Sequence, residues 1–134
     1  RELLCAIAQR PDALRGLGER IARIVWADER HEAMAWAMLS TPEGTSPAGV
    51  VAAASAVVPE APRILSGGRV MDEKLDLIVD TAELCSCNRR IRQIRGRLRS
   101  APADAESERL FSEATELQRR ANELANRLSS VLSE

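Results

Sequence analysis

The fold class this sequence predicts is all-α: a lobe of short helices over residues 1–70, then a long C-terminal antiparallel helical hairpin over residues 71–134. Three observations predict it. Only 2% of the 134 residues are aromatic, with no Tyr, one Phe and two Trp. A core built from such a chain is aliphatic and Ala-rich, which suits packed helices. It disfavours sandwiches and barrels, which draw on β-branched and aromatic side chains. Pro and Gly punctuate the first half at short-helix intervals. In the second half the apolar residues Leu110, Ala114, Leu117, Ala121, Leu124, Leu128 and Val131 recur with alternating steps of four and three, a heptad seam.

In chain order, residues 2–10 place Leu3, Leu4 and Ile7 on one face, and Pro11 ends that helix. Pro11 also suits the first position of the next helix, whose apolar face is Leu14, Leu17, Ile21 and Ile24. Gly16 and Gly18 predict a break within that segment. Asp28 is a good N-cap for a helix from Glu29 to about Leu39, with Met34, Ala35, Met38 and Leu39 as its buried stripe. Thr41 to Thr45, with Pro42 and Gly44, reads as a loop. Ser46–Pro47 matches an N-cap followed by Pro at the first helical position. The helix it opens runs to about Val58, with Val50, Ala54, Val57 and Val58 inward. Pro59 and Pro62 interrupt, and a short helix is expected to stop at Gly67–Gly68.

Two long helical patterns follow from Asp72 onward, joined by a short Pro-containing loop. The first carries its own seam at Leu84, Cys87, Ile91, Ile94 and Leu98, and stripes joined so closely fold back on one another. Charge is laid out in blocks. Asp72, Glu73, Asp76, Asp80 and Glu83 open the first arm, and Arg89, Arg90, Arg92, Arg95, Arg97 and Arg99 close it. The second arm opens with Asp104, Glu106 and Glu108 and continues with Glu113 and Glu116. Antiparallel folding therefore sets the basic end of arm one beside the acidic start of arm two, a pattern that fixes register and orientation.

The totals exclude several function classes. A net charge of −1 is not that of a polyelectrolyte binder. Three cysteines, few and odd in number, do not make a secreted disulfide framework and point to a reducing, cytoplasmic setting. No apolar run approaches a membrane span and no signal peptide is visible. The chain begins at Arg1 rather than Met, so the expectation is a fragment of a longer protein.

Candidate chemistry is sparse. Cys85 and Cys87 stand about 200° apart on a helix, which prevents joint chelation, and a second Cys or His pair at ligand spacing is missing. His31, the sole histidine, has Asp28 and Glu32 near it, but acidic residues at a helix start are normal dipole complements. No phosphate-cradling Gly motif is present. No catalytic, cofactor, metal or small-molecule site is therefore assigned. The Arg89–Arg99 run offers phosphate contact, yet no aromatics interleave for base stacking and the acidic arm opposes its field, so direct nucleic-acid contact is the lesser reading.

The seam cannot stand alone. Half-burying each apolar position gives ~1 kcal/mol, against roughly 1–2 kcal/mol of backbone entropy for every residue ordered. The hairpin needs a further surface, from its own lobe or from another protein. Phe111 near the turn and Leu128, Val131 and Leu132 near the end present apolar surface beyond the seam and point to a partner helix or bundle.

The stretch NRRIRQIRGRLRSAPADAESERLFSEATELQRRANEL, residues 88–124, resembles the C-terminal helicase-binding domain of bacterial DNA primase. The carriers are an Arg-rich amphipathic helix ending in Leu, a short polar loop, an acidic start, the Leu110–Phe111 pair and a Leu/Arg-rich last helix. ELLCAIAQRPDAL followed by WADERHEAMAWAML is similar to that domain's opening, whereas VVAAASAVV is less distinctive. The resemblance implies a non-catalytic module of a primase, itself a DNA-directed RNA polymerase whose catalytic domains lie upstream. Its partner would be the N-terminal domain of the replicative helicase, recruiting primase to the fork and modulating helicase activity. Carried over by position, the partner-binding face is Arg119, Arg120, Glu123, Arg127, Leu128, Val131 and Leu132, assisted by Leu110 and Phe111 at the turn. The helicase's own N-terminal domain shares this architecture and is the alternative, although the stop at Glu134 reads as a C-terminus. An Arg-face nucleic-acid-binding helical domain is the other.

Overall fold

The computed structural model describes residues 2–66, 70–71, 74–100 and 105–133, with side-chain surroundings as far as Ser130. The expected stop at Gly67–Gly68, the acidic Asp72 and Glu73, the Pro102 loop with Asp104, and the side chains of Val131 and Leu132 lie outside the described residues. Those described form eight helices and no strand: α1 (Glu2–Gln9), α2 (Pro11–Arg15), α3 (Gly18–Ala22), α4 (Glu29–Leu39), α5 (Pro47–Val57), α6 (Ala61–Ile64), α7 (Leu75–Ser100) and α8 (Ala105–Ser133). They divide into two compact units, residues 1–22 with 26–79, and residues 23–25 with 80–134.

In the first unit the helix starts follow local chemistry. Asp28 has extended backbone and its carboxylate accepts the Arg30 N–H at 2.9 Å, opening α4. The Ser46 hydroxyl accepts the Gly49 N–H at 3.2 Å and Pro47 takes the first helical position of α5. Each cap satisfies one of the four N–H groups that a helix start leaves without a partner. Gly44, at φ +82°, supplies the left-handed residue of the loop between α4 and α5. The expected break falls at Gly16–Leu17, between α2 and α3.

The core of this unit is aliphatic: Leu4, Ile7, Leu14, Ile21, Met34, Met38 and Val50 are fully buried, with α4 packed against α5 and α1. Three elements depart from expectation. α3 ends at Ala22, so Ile24, expected on its apolar face, lies outside the helix and belongs to the second unit. α1 buries six consecutive residues, Leu3 to Ala8, rather than a single face, so it is the central helix of the lobe. Val57 does not point inward; it is 52% exposed, while Val50 and Ala54 are buried. Val58 leaves the helix with extended backbone (φ −135°, ψ 105°), and that turn returns its side chain to the core.

Arg15 joins helices distant in sequence. Its guanidinium donates to the Leu39 carbonyl (3.2 Å), to the Thr41 hydroxyl (2.9 Å) and to the Thr41 carbonyl. A cation is thus placed on the unpaired carbonyls at the end of α4, where the helix dipole favours positive charge. The Gln9 side-chain carbonyl accepts the Val70 N–H at 2.7 Å.

The second unit is the helical hairpin. Cys87, Ile91 and Ile94 of α7 and Leu110, Ala121 and Leu124 of α8 are buried along the seam; Leu84, Leu98, Ala114, Leu117 and Leu128 are half-buried. Residues 23–25 belong to this unit: the Val25 N–H donates to the Ser86 hydroxyl at 2.6 Å, and the Arg89 guanidinium donates to the Val25 carbonyl.

Candidate protein-interaction surface

The hairpin's register is held by ion pairs that step in heptads. Glu83, Arg90 and Arg97 follow one another at intervals of seven on α7, and Arg120, Glu113 and Glu106 descend by sevens on α8. Antiparallel packing makes them partners. Arg120 grips Glu83 with two bonds (2.9 and 3.1 Å), Arg90 grips Glu113 with two (2.8 and 3.2 Å), and Arg97 meets Glu106 at 3.0 Å. Arg127 adds a bond to Asp80 at 2.9 Å. The charge order on α7 inverts between Glu83 and Arg90. A slide of one heptad in either direction therefore opposes Glu83 to Glu113, or Arg90 to Arg120, so the ladder selects one alignment.

The electrostatics follow from these contacts. The Arg90 hydrogen bonds, with the Arg90 and Arg97 charges behind them, hold the Glu113 carboxyl below the usual range. Burial raises the Cys87 thiol, the Glu83 charge raises it further, and Arg120 opposes both. Cys87 is thus a neutral seam residue, whereas Cys85, two positions away, is exposed. In the other unit, the Arg30 side-chain and backbone hydrogen bonds draw Asp28 down to about 2. His31 Nε2 lies 3.9 Å from that same carboxylate, which Arg30 already occupies. Among the described residues no three His, Cys, Asp or Glu side chains are grouped to hold a metal. No described helix is long and apolar enough to cross a membrane.

The hairpin has two unlike sides. On one, Val25 and Arg23 line a hollow with Ser86, Cys87, Leu117 and the paired charges Glu83, Arg90, Glu113 and Arg120. On the other, a groove of about 490 Å³ runs between the helices. Ile91, Leu98 and Ala114 form its floor and Phe111 stands at one end, 67% exposed. Arg95 flanks it on α7; Thr115, Gln118, Arg119 and Asn122 flank it on α8.

The nine residues read from sequence as a partner-binding face are not on one face. Phe111 and Arg119 line the groove. Leu110 is buried in the seam at 7% exposure and is not a surface residue. Arg120 and Arg127 turn toward α7 to pair with Glu83 and Asp80 instead of forming an outer face. Glu123 is half-exposed and bonds to Arg120 (3.4 Å), with Arg119 at 3.7 Å. Leu128 is half-buried, and the side chains of Val131 and Leu132 lie outside the described residues. Sequence reading passed over Ile91, Arg95 and Leu98 as groove residues. Their signal was present, since Ile91 and Leu98 are seam positions one heptad apart and Arg95 lies between them. Comparison with family models, with curated proteins and with solved structures found no match for this chain.

Proposed function

We propose that this chain is a protein-docking module, the helicase-interaction domain of a bacterial primase, which engages the N-terminal domain of the replicative helicase through its C-terminal hairpin. The observation that carries the reading is the hairpin itself. Two long helices in a register locked by ion pairs leave an apolar groove headed by an exposed Phe111. A lobe of short helices precedes them, the order that the sequence resemblance implies. Exposed aromatic and Arg side chains beside apolar floor are the composition that protein interfaces enrich. The module performs no chemistry; the parent chain would supply polymerisation.

Calorimetric titration of the 134-residue chain into the helicase N-terminal domain tests this. Saturable binding is expected, weakened at least about tenfold by Phe111→Ala combined with Arg119→Glu. No heat at concentrations far above micromolar sinks the reading. Were this chain instead the helicase's own N-terminal domain, it would bind the primase domain and not the helicase one, so the reverse titration separates the two.

One observation favours a second reading as a nucleic-acid contact. Arg92, Arg95 and Arg99 make one stripe on α7 and have no carboxylate partner among the described residues. Binding of duplex DNA by the isolated chain, falling steeply with salt, is its signature.

A further inference from the structure

The rims of the hairpin groove differ in charge, and the difference specifies what lies in it. On the α7 side Arg95 lines the groove, and the exposed Arg92 and Arg99, at steps of three and four from it, lie on the same helix face. Arg90 and Arg97, from the same basic run, are spent on Glu113 and Glu106. Among the described residues, the stripe gives one hydrogen bond, from Arg99 to the Arg95 backbone carbonyl at 3.4 Å. The α8 rim is electrically quiet. Arg119 is held between Glu116 (2.8 Å) and Glu123 (3.7 Å) of its own helix, and Gln118 bonds to Asn122 at 3.1 Å. The floor between the rims is aliphatic, and Phe111 projects at its end.

We propose that this groove seats an amphipathic helix of a partner protein whose apolar stripe is flanked on one side by acidic residues. The proposal rests on the protein-docking reading above and adds the chemistry of what docks. The apolar stripe covers Ile91, Leu98, Ala114 and Phe111 and completes a three-helix packing that the two-helix seam only begins. The acidic flank meets Arg92, Arg95 and Arg99. The other flank carries neutral hydrogen-bonding side chains toward Thr115, Gln118 and Asn122. One-sided charge sets the direction in which the partner helix lies, because reversal would leave its carboxylates against the amide rim and the Arg stripe uncompensated. Nucleic acid fits the Arg stripe but has no use for an aliphatic floor, and one exposed Phe is too little for base stacking.

The test titrates the isotopically labelled 134-residue chain with two helical peptides of about 18 residues, five turns. Both carry one Leu stripe, flanked by Glu in the first and by Lys in the second. The Glu peptide is expected to bind, with amide shifts confined to residues 91–99 and 111–122, and the Lys peptide to bind at least about tenfold more weakly. The triple variant R92E/R95E/R99E, all exposed positions, is expected to exchange that preference, and Phe111→Ala to weaken both peptides. Equal binding of the two peptides, no binding, or shifts elsewhere on the chain overturn the proposal. So does a shift pattern produced by duplex DNA but not by the Glu peptide, or a self-dimer that protects Phe111. The helicase domain is titrated against the same variants. Undiminished helicase binding by the triple variant and by Phe111→Ala overturns the groove and leaves the helicase reading standing. Binding of the Glu peptide without binding of helicase does the reverse.

Discussion

Single side chains here do work that their neighbours in sequence do not reveal. Cys85 and Cys87 differ by two positions, yet one faces solvent and the other the seam, beside Leu124 and Ala121. A thiol reagent applied to the folded chain is expected to modify Cys85 quickly and to reach Cys87 and Cys5 only on unfolding. Fast modification of Cys87 would contradict the seam assignment. Arg15 is a second case, closing the end of α4 from a helix that precedes it by fourteen residues. Arg15→Ala removes charged donors from partly buried carbonyls, and a loss of about 2 kcal/mol in denaturant unfolding is expected. The Ser46 cap is simpler. Ser46→Ala should cost about 1 kcal/mol and Ser46→Gly only a few tenths, a ranking that equilibrium unfolding resolves.

At the scale of elements, the hairpin is specified by two patterns of the same period. The apolar heptad brings the helices together, and the ion-pair heptad selects among the alignments the apolar one allows. The rungs are unequal. Glu83 is 8% exposed and bound by Nε and one terminal nitrogen of the Arg120 guanidinium, whereas Arg97 and Glu106 are both more than half exposed. Arg120→Ala strands a buried carboxylate and is expected to destabilise by about 2 kcal/mol, discounted from the 3–5 of a fully buried pair because Arg120 is partly solvated. Arg97→Ala is expected to cost less than about 0.5 kcal/mol. A double-mutant cycle with Glu83→Gln and Glu106→Gln checks both. α5 shows the opposite situation. PAGVVAAASAV is apolar apart from Ser55, whose hydroxyl bonds back to the Val51 carbonyl, so periodicity cannot say which face is in. The inward assignment of Val57 failed for that reason; packing against α4 chose Val50 and Ala54 instead.

For the whole molecule, the carboxyls that gain partners on folding set the response to acid. Asp28 sits at about 2 and Glu113 below its usual value, both lower than in the unfolded chain. Their contribution is complete above the ordinary carboxyl range near ~4 and is lost as pH falls through the folded values, toward about 2 for Asp28. The thermal midpoint should therefore decline between about pH 5 and pH 2, and Asp28→Asn should flatten part of that decline. A midpoint indifferent to pH over that window would show that these contacts do not persist in solution.

The all-α class, the helix starts at Asp28, Ser46 and Pro11, the break at Gly16–Leu17 and the seam positions of the hairpin were all legible in the sequence. Each is a local or periodic property: a cap needs its own residue and a backbone N–H two or three positions on, and a seam needs only a repeat of seven. The blockwise opposition of Arg90 and Arg97 to the acidic α8 followed from the same period once the arms were antiparallel. Tertiary structure alone decided matters that depend on which faces meet. It buried α1 on every side, set Arg15 on the end of α4, and laid residues 23–25 against α7. It also turned Arg120 and Arg127 inward to Glu83 and Asp80, and left Arg92, Arg95 and Arg99 exposed beside an apolar groove. A cation's availability depends on whether a carboxylate has reached it, and the alternating order of arginines along α7 does not by itself say which ones will be reached.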